Sequence, residues 1–389
     1  NGKFLPAAGA TGLDGFTVSS GNASGTGFLA VESKTINRNQ GGGLYNHTAA
    51  TAVKNCTFLS NSAVSGGGAY NASATSTYTD CLFSSNSATS YGGGVYNTNC
   101  TMTFNSCTFS GNTAGNSGGG MRNVTNTSVT LNGCIFKGNS CTSSNGGGFY
   151  IGSSSTSAML TNCLFSGNST GGSGGGIYNS ATAMSLTNCT ISGNKAPNDG
   201  GGIAFLATSG SEPIVKNCLV WNNRGGTTTG SALANLYTSS STPVISYSLI
   251  QNHNPAGTGN LNGIPNAADA NFPLFVTPLD PATAPSTSGD FLLTACSPVQ
   301  NQGDNTGAPA TDLFGNARPF GSTVDMGVHE LQEAPTPAVA TCQNTTVQLD
   351  GAGNGTLAAA ALNNGSTGCP PLTFSASQTT FNCADLGPN

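Results

Sequence analysis

Between residues 41 and 226 the apolar positions come in pairs two or three residues either side of a cysteine, and the pattern repeats. The cysteines are Cys56, Cys81, Cys107, Cys134, Cys163, Cys189 and Cys218, spaced 25, 26, 27, 29, 26 and 29 residues apart. Three before each stands an apolar residue (Val53, Tyr78, Phe104, Leu131, Leu160, Leu186, Val215), and two after each stands another (Phe58, Phe83, Phe109, Phe136, Phe165, Ile191, Val220). An apolar residue two places from the cysteine marks one face of a strand. Five after each cysteine comes Asn61, Asn86, Asn112, Asn139, Asn168, Asn194 or Asn223. Glycine triplets open at 41, 66, 92, 118, 146, 174 and 200, each followed by Leu44, Ala69, Val95, Met121, Phe149, Ile177 or Ile203.

A unit of about 26 residues with two or three short strands and Gly/Asn corners cannot close a core alone, but stacked copies bury one another. The pattern therefore predicts an all-β parallel β-helix, a solenoid of about eight or more coils. At about 4.8 Å per rung, eight coils make a body on the order of 40 Å long. Inward Cys and Phe are expected to stack as ladders, the asparagine amides to bond along the axis at a bend, and glycine to supply positive φ at the corners. A cysteine-free eighth unit is expected at PVISYSLIQN, with Tyr247 in the cysteine slot and Asn252 in the asparagine slot.

The strings FLSN, FSSN, FSGN and FKGN beside GGGLY, GGGVY and GGGIY resemble the FxxN and GGAI repeats of chlamydial polymorphic membrane proteins over residues 41 to 226. The same repeats occur in secreted right-handed β-helix proteins of Bacteroidetes, and the stretch from Cys296 to Glu330 is similar to their closing segment. The tail from Thr341 resembles the start of a hyalin-repeat-like, immunoglobulin-like adhesin module, lacking its last strand. The resemblance implies a β-helix at 1–332, with an N-terminal capping region and a closing segment at about 260–332 that caps the open end. A Pro-rich linker at 333–340 and a partial module at 341–389 follow. It also implies a piece of a larger polypeptide, secreted to the cell surface by a type IX route.

Composition narrows the function classes. Only 6% of the 389 residues are charged and the net charge is -5, so nothing here suits nucleic acid or an anionic lipid surface. No window is apolar for long enough to span a membrane, and NGKFLPAAGATG lacks the layout of a signal peptide. Gly, Ser, Thr and Asn take the place of helix formers, so almost no helix is expected.

The thirteen cysteines include no CxxC pair, which argues against zinc and for a reduced, apolar ladder. Cys100 and Cys141 fall outside the ladder and are candidates for a bridge between coils; one disulfide is expected among Cys342, Cys369 and Cys383. Carbohydrate cleavage on a β-helix needs clustered carboxylates. The acids of the repeats, Asp80, Asp199 and Glu212, stand at unrelated offsets, and His47, His253 and His329 are scattered. Asp304, Asp312, Asp325 and Glu330 with Arg318 form the densest charge, read as internal pairing within the cap or as oxygen ligands for calcium. The N-x-S/T triplets at Asn46, Asn71 and Asn126 arise readily by chance in so Asn- and Ser-rich a chain. No cofactor, metal or catalytic residue is assigned.

One feature hints at binding. The residue after each inward post-glycine position points out, giving a column of Tyr45, Tyr70, Tyr96, Arg122, Tyr150 and Tyr178, then Ala204. It is an exposed aromatic stripe for sugars or a neighbouring subunit, or a set of rings stacking only on each other. The function expected is a non-catalytic, structural and adhesive segment of a surface or filament protein. Its partners would be copies of itself, filament neighbours or cell-surface glycans. A carbohydrate-active enzyme and a carbohydrate-binding module are the alternatives.

Overall fold

The computed structural model describes residues 12–31, 34–152, 156–181, 183–206, 212–226, 228–229, 232–264, 272–334, 339–369 and 374–385. The chain divides into two compact units, one of residues 1–293 with 297–332 and one of residues 294–296 with 333–389.

The first unit is a parallel β-solenoid whose coils have four strands, more than the two or three expected. Sheet A opens after each glycine triplet, sheet B precedes the cysteine, sheet C follows it and sheet D follows the asparagine. Sheets B and C each hold nine strands, sheet D nine with an antiparallel last pair, and sheet A eight. Pairing between coils is in register: Val53, Tyr78, Phe104, Leu131 and Leu160 are successive partners in sheet B. Phe58, Phe83, Phe109, Phe136 and Phe165 do the same in sheet C, their rings stacked with centroids 4.7, 5.0, 4.3 and 4.8 Å apart. All ten of these side chains, and the seven ladder cysteines at the B–C corner, are buried. None of the seven forms a disulfide with another, and hydrogen bonding to Cys107 together with burial pushes the Cys81 thiol up.

Four sharp corners per coil explain the small polar residues. The residue before each ladder cysteine is left-handed (Asn55, Asp80, Ser106, Gly133, Asn162, Asn188, Asn217), as is the one before each ladder asparagine (Ser60, Ser85, Gly111, Gly138, Gly167, Gly193, Asn222). Most are Asn, Asp or Gly, the residue types that best tolerate positive φ, with serine at three of the corners. The triplets have a further reason. Their first glycine has φ between 63° and 73°. At the second, exemplified by Gly67, a Cβ would lie 2.4 Å from the carbonyl oxygens of Gly93 and Ser87, which are backbone and cannot yield.

The eighth unit is shifted by one residue from the expectation. Leu219 and Val220 pair with Leu249 and Ile250, so Ser248 takes the cysteine slot and its hydroxyl receives the Cys218 N–H at 3.0 Å. Tyr247 and Asn252 occupy the left-handed corners that Asn217 and Asn222 hold one coil earlier.

The closing segment does not simply cap the open end. Residues 257–263 lie over the last coil, with Tyr247 N–H donating to Thr258 and Leu261 N–H to Ser248. From 272 the chain of this unit folds back along the outside of sheet C. The sequence favours it: the outward residues of the later rungs include Leu164, Leu219, Trp221 and Leu249, which are buried with Phe275, Leu279, Phe291, Val299, Met326 and Val328. An apolar flank of that size needs a cover.

The second unit holds one antiparallel pair, Asn354–Thr356 with Thr380–Asn382, and isolated bridges Val339 to Thr367 and Cys342 to Asn363. None of its described residues from 339 to 385 is fully buried, so these residues do not display the two packed sheets of an immunoglobulin-like sandwich. Its disulfide joins Cys369 to Cys296, while Cys342 and Cys383 are free and exposed, a pairing the tail cysteines alone did not suggest. Of the linker, residues 335–338 lie outside the described residues.

Candidate binding surface on the glycine-triplet sheet

Sheet A carries the outward column. Tyr45, Tyr70, Tyr96, Arg122, Tyr150, Tyr178, Ala204 and Tyr237 are successive partners across its eight strands. Tyr237 was not part of the expected column, because its strand Leu236–Thr238 follows a short helix, Ala232–Asn235, instead of a glycine triplet.

The rings lie on one another. Tyr45–Tyr70, Tyr70–Tyr96 and Tyr150–Tyr178 are stacked at 5.4, 5.0 and 5.2 Å with interplanar angles of 8° or less. Arg122 bridges the gap, its Cζ 5.4 Å from the Tyr96 centroid and 5.2 Å from that of Tyr150. Tyr91, from the end of its sheet D strand, covers the same guanidinium at 3.9 Å. Along most of the run the ring faces are therefore occupied by neighbouring rungs, and the edges are what the column offers to a ligand. Tyr45 and Tyr70 are buried with Ile36 and Ala72, Ile36 coming from the hairpin Phe28–Val31 with Lys34–Asn37. Tyr96, Arg122, Tyr150 and Tyr178 are half-exposed. Desolvation raises the pKa of Tyr70, Tyr96 and Tyr178, keeping these phenols protonated.

Beneath the surface two amide ladders fix the coils. Each of Asn61, Asn86, Asn112, Asn139, Asn168 and Asn194 donates its Nδ2 to the Oδ1 of the next at 2.9–3.0 Å. Asn223 ends the series on Asn235 at 3.0 Å. A second ladder, Asn46, Asn71, Asn97 and Asn123, runs inside sheet A at 3.3, 2.8 and 2.8 Å. It went unnoticed in the sequence, where the signal is the asparagine directly after the outward Tyr or Arg. Asn46 and Asn71 are buried in it, so of the three glycosylation triplets considered only Asn126 is exposed.

The acids do not converge. Asp80 is exposed at a B–C corner, Asp199 half-buried ahead of Gly200, and Glu212 exposed between sheets A and B. His47 lies beside Tyr45 with centroids 6.2 Å apart, and His329 Nδ1 accepts the Leu293 N–H at 2.8 Å. His253 sits in the turn after the last coil, its N–H on the Ile250 carbonyl.

In the closing segment the carboxylates hold backbone. Asp312 accepts from the N–H groups of Phe314, Asn316 and Glu330, Asp325 from Asn301 and Leu331, and Glu330 from Phe320 and Asp325. Arg318 Nε lies 3.5 Å from Glu330 with both side chains fully buried, and Nη2 donates to the Gly327 carbonyl at 2.8 Å. Asp304 stands apart, on Lys216 at 2.7 Å. Among the described residues no three His, Cys, Asp or Glu side chains are placed to hold a metal ion, and no helix is long and apolar enough to cross a membrane. Cys100, at the corner between sheets A and B beside Thr127, and Cys141, in sheet D beside Thr170, are buried thiols and form no bridge.

Residues 126–263 match the family described as the right-handed beta helix region, and residues 80–98 match the Chlamydia polymorphic membrane protein repeat. No curated protein and no solved structure matches the chain. Together with the stacked parallel sheets, the matches make this a right-handed β-helix repeat protein.

Proposed function

We propose that this right-handed β-helix is a non-catalytic structural and adhesive segment of a secreted or cell-surface protein, with sheet A as its contact face. The observation that carries the reading is the eight-strand column of in-register outward residues, six of them tyrosine, on a sheet whose strands contain no carboxylate. A repeating, rigid row of this kind suits many weak contacts that gain strength by number. The Chlamydia repeat match supports a surface location. The scatter of Asp80, Asp199 and Glu212, and the use of Asp312, Asp325 and Glu330 to hold backbone, support the non-catalytic part.

The test uses the full chain on beads. Adhesion to cells and to immobilised glycans is measured for the wild type and for Tyr96→Ala, Tyr150→Ala and Tyr178→Ala combined. The reading expects adhesion to fall with the triple substitution, and no release of reducing ends or unsaturated sugars from polysaccharides. Adhesion untouched by the triple substitution removes sheet A as the face. Product release that vanishes in Asp199→Asn or Glu212→Gln makes the protein an enzyme.

A further inference from the structure

The aromatic run is interrupted by a single cation. Arg122 is held between Tyr96 and Tyr150 and under Tyr91. Among the described residues it has no ion-pair or hydrogen-bond partner, and its Nε is buried without one. The strands of sheet A contribute no acid that would neutralise it. Tyrosine fills the same place in the rungs on either side, so the fold does not need a charge there.

Building on the reading of sheet A as the contact face, we propose that Arg122, flanked by Tyr96 and Tyr150, binds the carboxylate of an acidic sugar in a polysaccharide lying along the rungs. A guanidinium presents a planar fork of donors that matches a carboxylate, and the three surrounding rings hold that fork in place on the surface. The chain as a whole is acidic, with a net charge of -5, so attraction to an anion here is local to this rung. The face favours a glycan over a peptide strand. Backbone groups of the sheet A strands around Arg122 are taken up in coil-to-coil pairing on both sides, which leaves none there for strand addition. What remains for a ligand is ring edges, phenols and one cation, repeated about every 5 Å, close to the length of one pyranose in an extended chain.

Binding of the full chain to polygalacturonate and to its methyl ester, the same backbone without the charge, is compared by biolayer interferometry. Polysialate serves as a second source of carboxylated sugar and poly-glutamate as the peptide comparison. The wild type is expected to prefer at least one carboxylated glycan by about tenfold over the ester, with the preference falling as salt rises. Arg122→Tyr completes the ring stack and keeps the fold, checked by its melting temperature, yet should bring the acid-to-ester ratio to about one. Arg122→Lys keeps the charge without the fork and should fall between. Equal binding of acid and ester, a preference that survives Arg122→Tyr, absence of binding to either acidic glycan, or stronger binding of poly-glutamate overturns the proposal. The first three leave the adhesive reading standing if the tyrosine substitutions still abolish cell adhesion, so the two fail separately.

Discussion

Replacing Asn139 by alanine tests the amide ladder where it is deepest. The side chain is fully buried and makes four bonds. It donates to the Phe109 carbonyl and to Asn168 Oδ1, both at 2.9 Å, and accepts from the Asn112 backbone N–H at 3.0 Å and from Asn112 Nδ2 at 2.9 Å. Alanine strands two of those partners, the Asn112 N–H and one hydrogen of its amide, while the Phe109 carbonyl keeps its place in the sheet C pairing. Leaving a buried polar group unpaired costs about 1–3 kcal/mol, so the loss from two such groups should be about 2–6 kcal/mol, the lower end applying where water enters the space. Against a typical stability of about 5–15 kcal/mol that is severe. In a stack stabilised by nearest-neighbour interfaces, the damage falls on one interface and should divide the unit into two unfolding blocks. Urea titrations followed by far-ultraviolet circular dichroism and by fluorescence of Trp221, the one tryptophan of the chain, would reveal this as two non-coincident transitions. The control is Asn132→Ala, which loses a single exposed bond to Asn105 at 2.9 Å and should cost no more than about 0.5 kcal/mol. If Asn139→Ala and Asn132→Ala unfold within about 1 kcal/mol of each other, the ladder is not what holds the coils.

Gly147→Ala should prevent folding or lower the melting temperature sharply, because its Cβ would meet the Ser169 and Gly175 carbonyl oxygens at 2.3 and 2.6 Å. Gly111→Asn should be well tolerated, since that left-handed corner opens outward and Ser85 and Asn222 fill the equivalent place in other coils. Comparable melting of the two variants would overturn the close-approach argument. In the closing segment burial pushes Asp325 up to about 6. A carboxyl whose folded pKa exceeds its unfolded value binds its proton more tightly when folded. Its contribution is therefore greatest below about pH 4 and declines as pH rises through 6. His329, lowered by burial, works in the opposite sense, so the informative quantity is the difference between proteins. The loss of stability from pH 5 to pH 7.5 should be larger in the wild type than in Asp325→Asn, and equal losses would refute it.

The repeat was legible because a solenoid writes each inward place once per coil. Cys56 to Cys218 and Asn61 to Asn223 are in the sequence at the spacing that the stacked sheets then display. The outward column was legible for the same reason, since alternation from Leu44 to Tyr45 fixes which side each residue faces. What alternation does not carry is what lies over a face. Tyr45 and Tyr70 are covered by a hairpin outside the repeat, and the fold-back over Leu219 and Trp221 comes from residues more than fifty positions away. The four-strand coil was missed because a left-handed residue such as Ser85 or Asn188 turns the chain without a glycine or proline to mark it. The Cys296–Cys369 pair was missed because it joins a cysteine placed in the closing segment to one in the tail.

The corners have one more consequence, for how such a chain changes over generations. Each coil presents the same sockets above and below: an amide to receive an amide, a ring to receive a ring, and a left-handed residue at the same bends. Deleting residues 81–106 would join Asp80 to Cys107, set Phe109 on Phe58, and hand the Asn61 amide to Asn112. Recombination within the gene can therefore add or drop whole coils at a seam chemically like the one it replaces. Length becomes a quantity that selection can adjust in steps of one rung, while each surviving coil keeps its own outward residue and so its own share of the contact face.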